Sequence, residues 1–119
     1  MQNQKSALGL DGNVTALIGY PIGILALILV FIEKDNKFVR FHAFQSLLFW
    51  AAVFVIYIAL GIFTGILFAV STTLGGLFSM LLGLVGLAVF VGMLFLAYKA
   101  YQGQMFKLPV IGDMAEKYA

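Results

Sequence analysis

Charge is what this chain has least of. Seven Lys and Arg and five Asp and Glu are spread over 119 residues, while 63% of the residues are apolar. A water-soluble domain of this size carries about a quarter charged residues, because its core needs a solvated shell. Here that shell is missing, and the long uncharged runs require lipid or other apolar helices around them. Cysteine is absent altogether, which excludes disulfides, thiolate metal sites and cysteine nucleophiles. The single histidine, His42, has no co-ligands at metal-binding spacing. No serine or threonine sits in a nucleophile-type turn, no acidic pair lies within an apolar run, and no glycine-rich phosphate loop follows a strand. The chain is therefore expected not to be an enzyme and to hold neither metal nor cofactor.

What is present is membrane-length hydrophobicity. The expected fold is all-α, an integral membrane bundle of three transmembrane helices over about 14–32, 41–70 and 77–98, forming a single domain. Val14 to Ile32 is free of charge and, at 1.5 Å per residue, matches a hydrocarbon core of roughly 30 Å. Pro21 interrupts it and predicts a kink. The polar run Glu33-Lys34-Asp35-Asn36-Lys37 reads as a turn, with Asp35 or Asn36 capping the next helix. That helix starts in the mixed segment Phe38 to Ser46 and becomes wholly apolar from Leu47 to Val70. It exceeds a bilayer's thickness, which favours one helix whose N-terminal end protrudes into the headgroups over first turns lying along the interface. Ser71 to Gly76 reads as a tight hairpin. Beyond Lys99, Tyr98 and Tyr101 sit at headgroup depth. Residues 103–119 form an interfacial segment with a short helix started by Asp113 and Glu116 at the cap and third positions.

Basic residues set orientation. In a three-span arrangement Lys34, Lys37, Arg40, Lys99, Lys107 and Lys117 share one side and Lys5 stands alone on the other. That predicts a multi-pass protein of the cytoplasmic membrane, with the N-terminus outside and the C-terminus cytoplasmic.

The candidate functional residues are Arg40, His42, Gln45, Ser46 and Lys99. At helical spacing His42, Gln45 and Ser46 share a face and Arg40 points elsewhere. Polar groups at such depth are costly, and three readings stay open: a polar path for a substrate or ion, an anionic headgroup site built with Lys37 and Arg40, or hydrogen bonding between helices. Glu33 and Lys99 fall on the same side, where they either pair or stay separately solvated. Gly19 and Gly23, Gly61 and Gly65, and Gly83 and Gly86 are small residues that allow close helix approach. The expected partners are the lipid bilayer and either other membrane subunits or further copies of the chain, with an anionic lipid as a further candidate and nucleic acid not among them.

The segments Asn36-Lys37-Phe38-Val39-Arg40-Phe41-His42-Ala43-Phe44-Gln45-Ser46, Tyr98-Lys99-Ala100-Tyr101-Gln102-Gly103 and Phe106-Lys107-Leu108-Pro109-Val110-Ile111-Gly112-Asp113 resemble a widespread uncharacterised family of small bacterial and archaeal membrane proteins. That family is grouped with the chloroplast import component Tic twenty. The resemblance implies a helical bundle in the cytoplasmic membrane, related to a translocon-like component, with no catalytic residues. It directs attention to Arg40, His42, Gln45 and Lys99. The leading expectation is an accessory or scaffold subunit, with a channel component or an anionic-lipid binder as alternatives.

Overall fold

A computed structural model describes residues 4–119. Five helices follow in order: α1 Gly12–Gly19, α2 Gly23–Ile32, α3 Lys37–Val70, α4 Thr72–Tyr101 and α5 Ile111–Tyr118. No strand occurs among the described residues. They fall into two compact units, one of the chain up to Trp50 together with Met93–Ala119, the other Ala51–Gly92.

Two helices, α3 with 34 residues and α4 with 30, are long and apolar enough to cross a membrane. The N-terminal apolar run is not a third helix of that kind. It breaks at Tyr20-Pro21-Ile22 into helices of 8 and 10 residues, about 12 and 15 Å long. Proline has no N–H to continue the ladder, and the Tyr20 N–H turns instead to the Leu17 carbonyl in a tightened last turn. The two halves then fold back on each other. The Asn36 side chain donates to the Gln4 carbonyl, and the Ala7 N–H donates to the Glu33 carboxylate at 2.7 Å. A continuous span over 14–32 would hold these ends about 28 Å apart. The N-terminal segment therefore lies beside the charged turn, where a kinked span over 14–32 was expected to set the two apart.

The remaining boundaries differ in smaller ways. Asn36 caps α3, its Oδ1 accepting from the Phe38 and Val39 N–H groups, and α3 runs unbroken from Lys37, as the protruding-helix reading expected. The turn between α3 and α4 is Ser71 alone rather than six residues, because its hydroxyl accepts from the Leu74 N–H and starts α4 at once. Gly75 lies within α4, where a Cβ would run into the Phe68 ring; the pair needs glycine for close approach. Leading α5 is Val110, not Asp113. Val110 adopts φ +66° and ψ −54°, and the Ile111 N–H donates to the Pro109 carbonyl at 2.7 Å, closing a γ-turn.

In the first unit Ala16, Tyr20, Ala26 and Leu29 of the hairpin pack with Phe38, Val39 and Ala43 of α3 and Met93, Leu96, Ala97 and Ala100 of α4. In the second, Phe63 meets Phe78 edge-on and the Tyr57 hydroxyl donates to the Leu82 carbonyl.

Candidate functional site: a buried polar junction

Three of the sequence-predicted residues, His42, Gln45 and Ser46, do share one face of α3 and all are buried. That face receives the broken tip of the hairpin. Ser46 donates to the Gly19 carbonyl at 2.8 Å and the Trp50 indole N–H to the Tyr20 carbonyl at 2.7 Å. Carbonyls left unpaired by the end of α1 are thus satisfied by α3 side chains.

The Tyr20 hydroxyl is the hub. Gln104's carbonyl can only accept, so His42 presents Nε2–H to it at 2.9 Å, and His42 Nδ1 is left to accept from the Tyr20 O–H. Gln45 Nε2 donates to the Tyr20 oxygen at 2.9 Å and to the Phe106 carbonyl at 2.8 Å, while Gln45 Oε1 accepts from the Leu108 N–H at 2.9 Å. One amide side chain therefore pairs with a carbonyl and an N–H of the strap Gly103–Val110, as a strand neighbour would. Among the described residues no buried side-chain polar atom lacks a partner. Phe38 and Phe41 pack edge-on against His42.

Arg40 points away from this cluster, as expected, and closes two helix ends. Its Nη1 donates to the Val30 and Glu33 carbonyls in the last turn and C-cap of α2, and its Nε and Nη2 to the Ala119 and Tyr118 carbonyls at the end of α5. A guanidinium is well placed there, since helix C-termini carry partial negative charge and unpaired carbonyls. Lys99 joins neither group; its ammonium lies 5.5 Å from the centre of the Phe95 ring. It does not pair with Glu33, whose buried carboxylate takes the Ala7 and Asn36 N–H groups. Lys107 is bonded to Glu116 at 2.8 Å, which pushes its pKa up.

The glycine expectations divide. Gly19 lies against Leu29, Gly23 against Trp50 and Gly86 against the Tyr57 hydroxyl, but a Cβ at Gly61, Gly65 or Gly83 would meet nothing within 4 Å. Those three are not packed against another helix among the described residues. Sequence reasoning missed Tyr20, Trp50 and the strap backbone. The only tryptophan in the chain and a tyrosine ahead of a mid-run proline were the available signals. No group of three or more metal-capable side chains occurs among the described residues.

Two apolar helices of membrane-crossing length, held by a polar junction whose donors and acceptors all face inward, define a small helical membrane protein. The chain belongs to the magnetosome magnetite crystal formation protein family (MamF/MmsF), whose model matches residues 5–115. It is 41% identical to a UPF0132 membrane protein of Methanocaldococcus jannaschii over 97% of this chain and 94% of that one. A UPF0132 membrane protein of Archaeoglobus fulgidus is 37% identical over 88% and 92%, and a second from M. jannaschii 35% over 94% and 73%. No solved structure matches.

Proposed function

We propose that the protein is a non-enzymatic structural subunit of the cytoplasmic membrane, packing through the apolar faces of α3 and α4 against further copies or other membrane proteins. The observation that carries this reading is the saturation of the polar junction: Tyr20, His42, Gln45, Ser46 and Arg40 direct their hydrogen-bonding atoms at backbone and at one another. That is the chemistry of a brace, in which each lost partner would leave a buried group unpaired. Gly61, Gly65 and Gly83, facing open space, give a second helix somewhere to approach closely.

In this reading α3 and α4 cross the bilayer and α1–α2 is a re-entrant hairpin. Trp50, which meets its tip, lies about 20 Å along α3 from Lys37, so the hairpin enters the membrane and returns. The inward-facing junction satisfies the irregular backbone at its tip, as membrane depth demands. The two ends of α3 then lie on opposite sides of the membrane. Ser71 to Thr73 is one boundary, and Lys5, Lys34, Lys37, Arg40, Lys99, Lys107 and Lys117, which are all the basic residues of the chain, gather at the other. The positive-inside bias places both termini in the cytoplasm, replacing the N-outside orientation that a three-span reading requires.

The channel role suggested by the Tic twenty resemblance requires polar side chains facing a path, whereas these face backbone. Growth of magnetite, the process in the family's description, calls for exposed oxygen ligands. Here Asp11, Asp35, Asp113 and Glu116 are exposed and Glu33 is buried, but no three metal-capable side chains come together among the described residues, which favours the structural role. Native mass determination in mild detergent tests it: the expected species is an oligomer or a complex with other membrane proteins, and a strictly monomeric, partner-free species refutes it.

A further inference from the structure

The strap and α5 leave an apolar flank uncovered. Met105, Phe106, Val110, Met114 and Tyr118 are all exposed, Val110 by 71%. On α5 itself, Met114 and Tyr118 share one flank while Asp113, Glu116 and Lys117 form the other. Such a surface is costly in water. It is also held in place, because Arg40 bonds the Tyr118 and Ala119 carbonyls and Gln45 bonds the strap.

We infer that this flank is a bilayer-docking face, seated in the interfacial layer of an anionic membrane leaflet beside the end of α4. Two observations identify lipid as the occupant. First, the flank continues the apolar surface of a membrane-length helix: the Phe106 ring meets Phe95 of α4 edge-on, with centroids 5.1 Å apart, and Phe95, Tyr98 and Tyr101 are exposed next to it. Second, the cations fit headgroup phosphates. Lys99 lies over Phe95 and Lys117 over Tyr118, neither in a salt bridge among the described residues, so each ammonium stands at the rim of an aromatic surface. An amphipathic helix with aromatic and basic residues at its polar boundary lies in the interface plane, and each nearby basic residue strengthens its attraction to anionic lipid. The face thus adds a peripheral contact to the two spans, and it rests on the reading that α4 crosses the bilayer.

The absence of cysteine makes the test clean. Met114→Cys, Asp113→Cys and Leu94→Cys, each carrying a polarity-sensitive fluorophore, are reconstituted as full-length protein into phosphatidylcholine vesicles with and without phosphatidylglycerol. The expected result is a blue-shifted Met114 probe, quenched several-fold more by lipids with a nitroxide near the headgroup than the Asp113 probe is, and less by aqueous iodide. Phosphatidylglycerol widens the contrast, and Lys99→Gln with Lys117→Gln removes the widening. Equal iodide access at both α5 positions overturns the inference. So does shielding of Met114 that depends on the protein-to-lipid ratio, which marks a second copy as the occupant. Leu94, on the exposed side of α4, separates the two readings: lipid quenching there with none at Met114 refutes this face alone, and none at either refutes the spanning of α4.

Discussion

Gln45 makes three hydrogen bonds through one buried amide. Its amide donates to Tyr20 and Phe106 and accepts from Leu108, so truncation leaves the part-buried Phe106 carbonyl and Leu108 N–H without this partner. Gln45→Ala is expected to cost about 3 kcal/mol, since each stranded buried group costs about 1–3 kcal/mol. Gln45→Glu, whose carboxylate cannot donate to the Phe106 carbonyl, should rescue little of it. Denaturant unfolding in detergent micelles measures both. Val110 behaves in the opposite way. A β-branched residue at φ +66° is strained, and Val110→Gly should raise stability by about 1 kcal/mol, the relief of strain exceeding the added freedom of glycine in the unfolded chain. An unchanged or lower midpoint would contradict the γ-turn. Polar chemistry at His42, Gln45 and Ser46 was legible in the sequence because polar residues beside a span are conspicuous. Their partners were not, since most are backbone carbonyls and N–H groups of a strap some sixty residues away, and backbone groups leave no mark in a sequence.

At the level of elements, Arg40 joins the ends of α2 and α5 through four carbonyls. Arg40→Ala should speed amide exchange at the last turns of both helices together, and Arg40→Lys should fail to restore protection because one ammonium cannot reach carbonyls on both sides. Hydrogen exchange with mass spectrometry reads this directly, and loss at one helix alone would count against the staple. The α3–α4 turn depends on Gly75. Gly75→Ala sets a methyl group against the Phe68 ring and is expected to destabilise the turn, with Phe68→Ala in the same chain recovering part of the loss. Both long helices were visible from their uncharged length, and the cap at Asn36 from its residue type. The hairpin was not. Pro21 marks a disturbance in an apolar run, but a kink and a reversal share that signature. What decides between them is distant: Trp50 and Ser46 donate to the carbonyls of the broken end, and Glu33 and Asn36 hold the returning chain.

For the whole molecule, the re-entrant hairpin proposed above lowers the count of membrane crossings to two and moves the N-terminus to the side of the charged turn. Composition alone established a membrane protein with an all-α fold. Nineteen uncharged residues read as a span by their length and by the six-to-one charge division that a third crossing gives, and length does not distinguish a helix that crosses from a pair of short helices that enters and returns. With two crossings every basic residue falls at one end of α3 and α4, a cleaner charge bias than the six-to-one division of the three-span arrangement. The measurement that tests this account most directly uses single cysteines, which the native chain lacks, at Gln4, Asp35 and Thr73, with a membrane-impermeant maleimide applied to intact cells. Labelling of Thr73→Cys alone, with Gln4→Cys and Asp35→Cys reacting only after the membrane is opened, is the result the re-entrant hairpin predicts. External labelling of Gln4→Cys with Asp35→Cys protected would contradict it and restore a first helix that crosses.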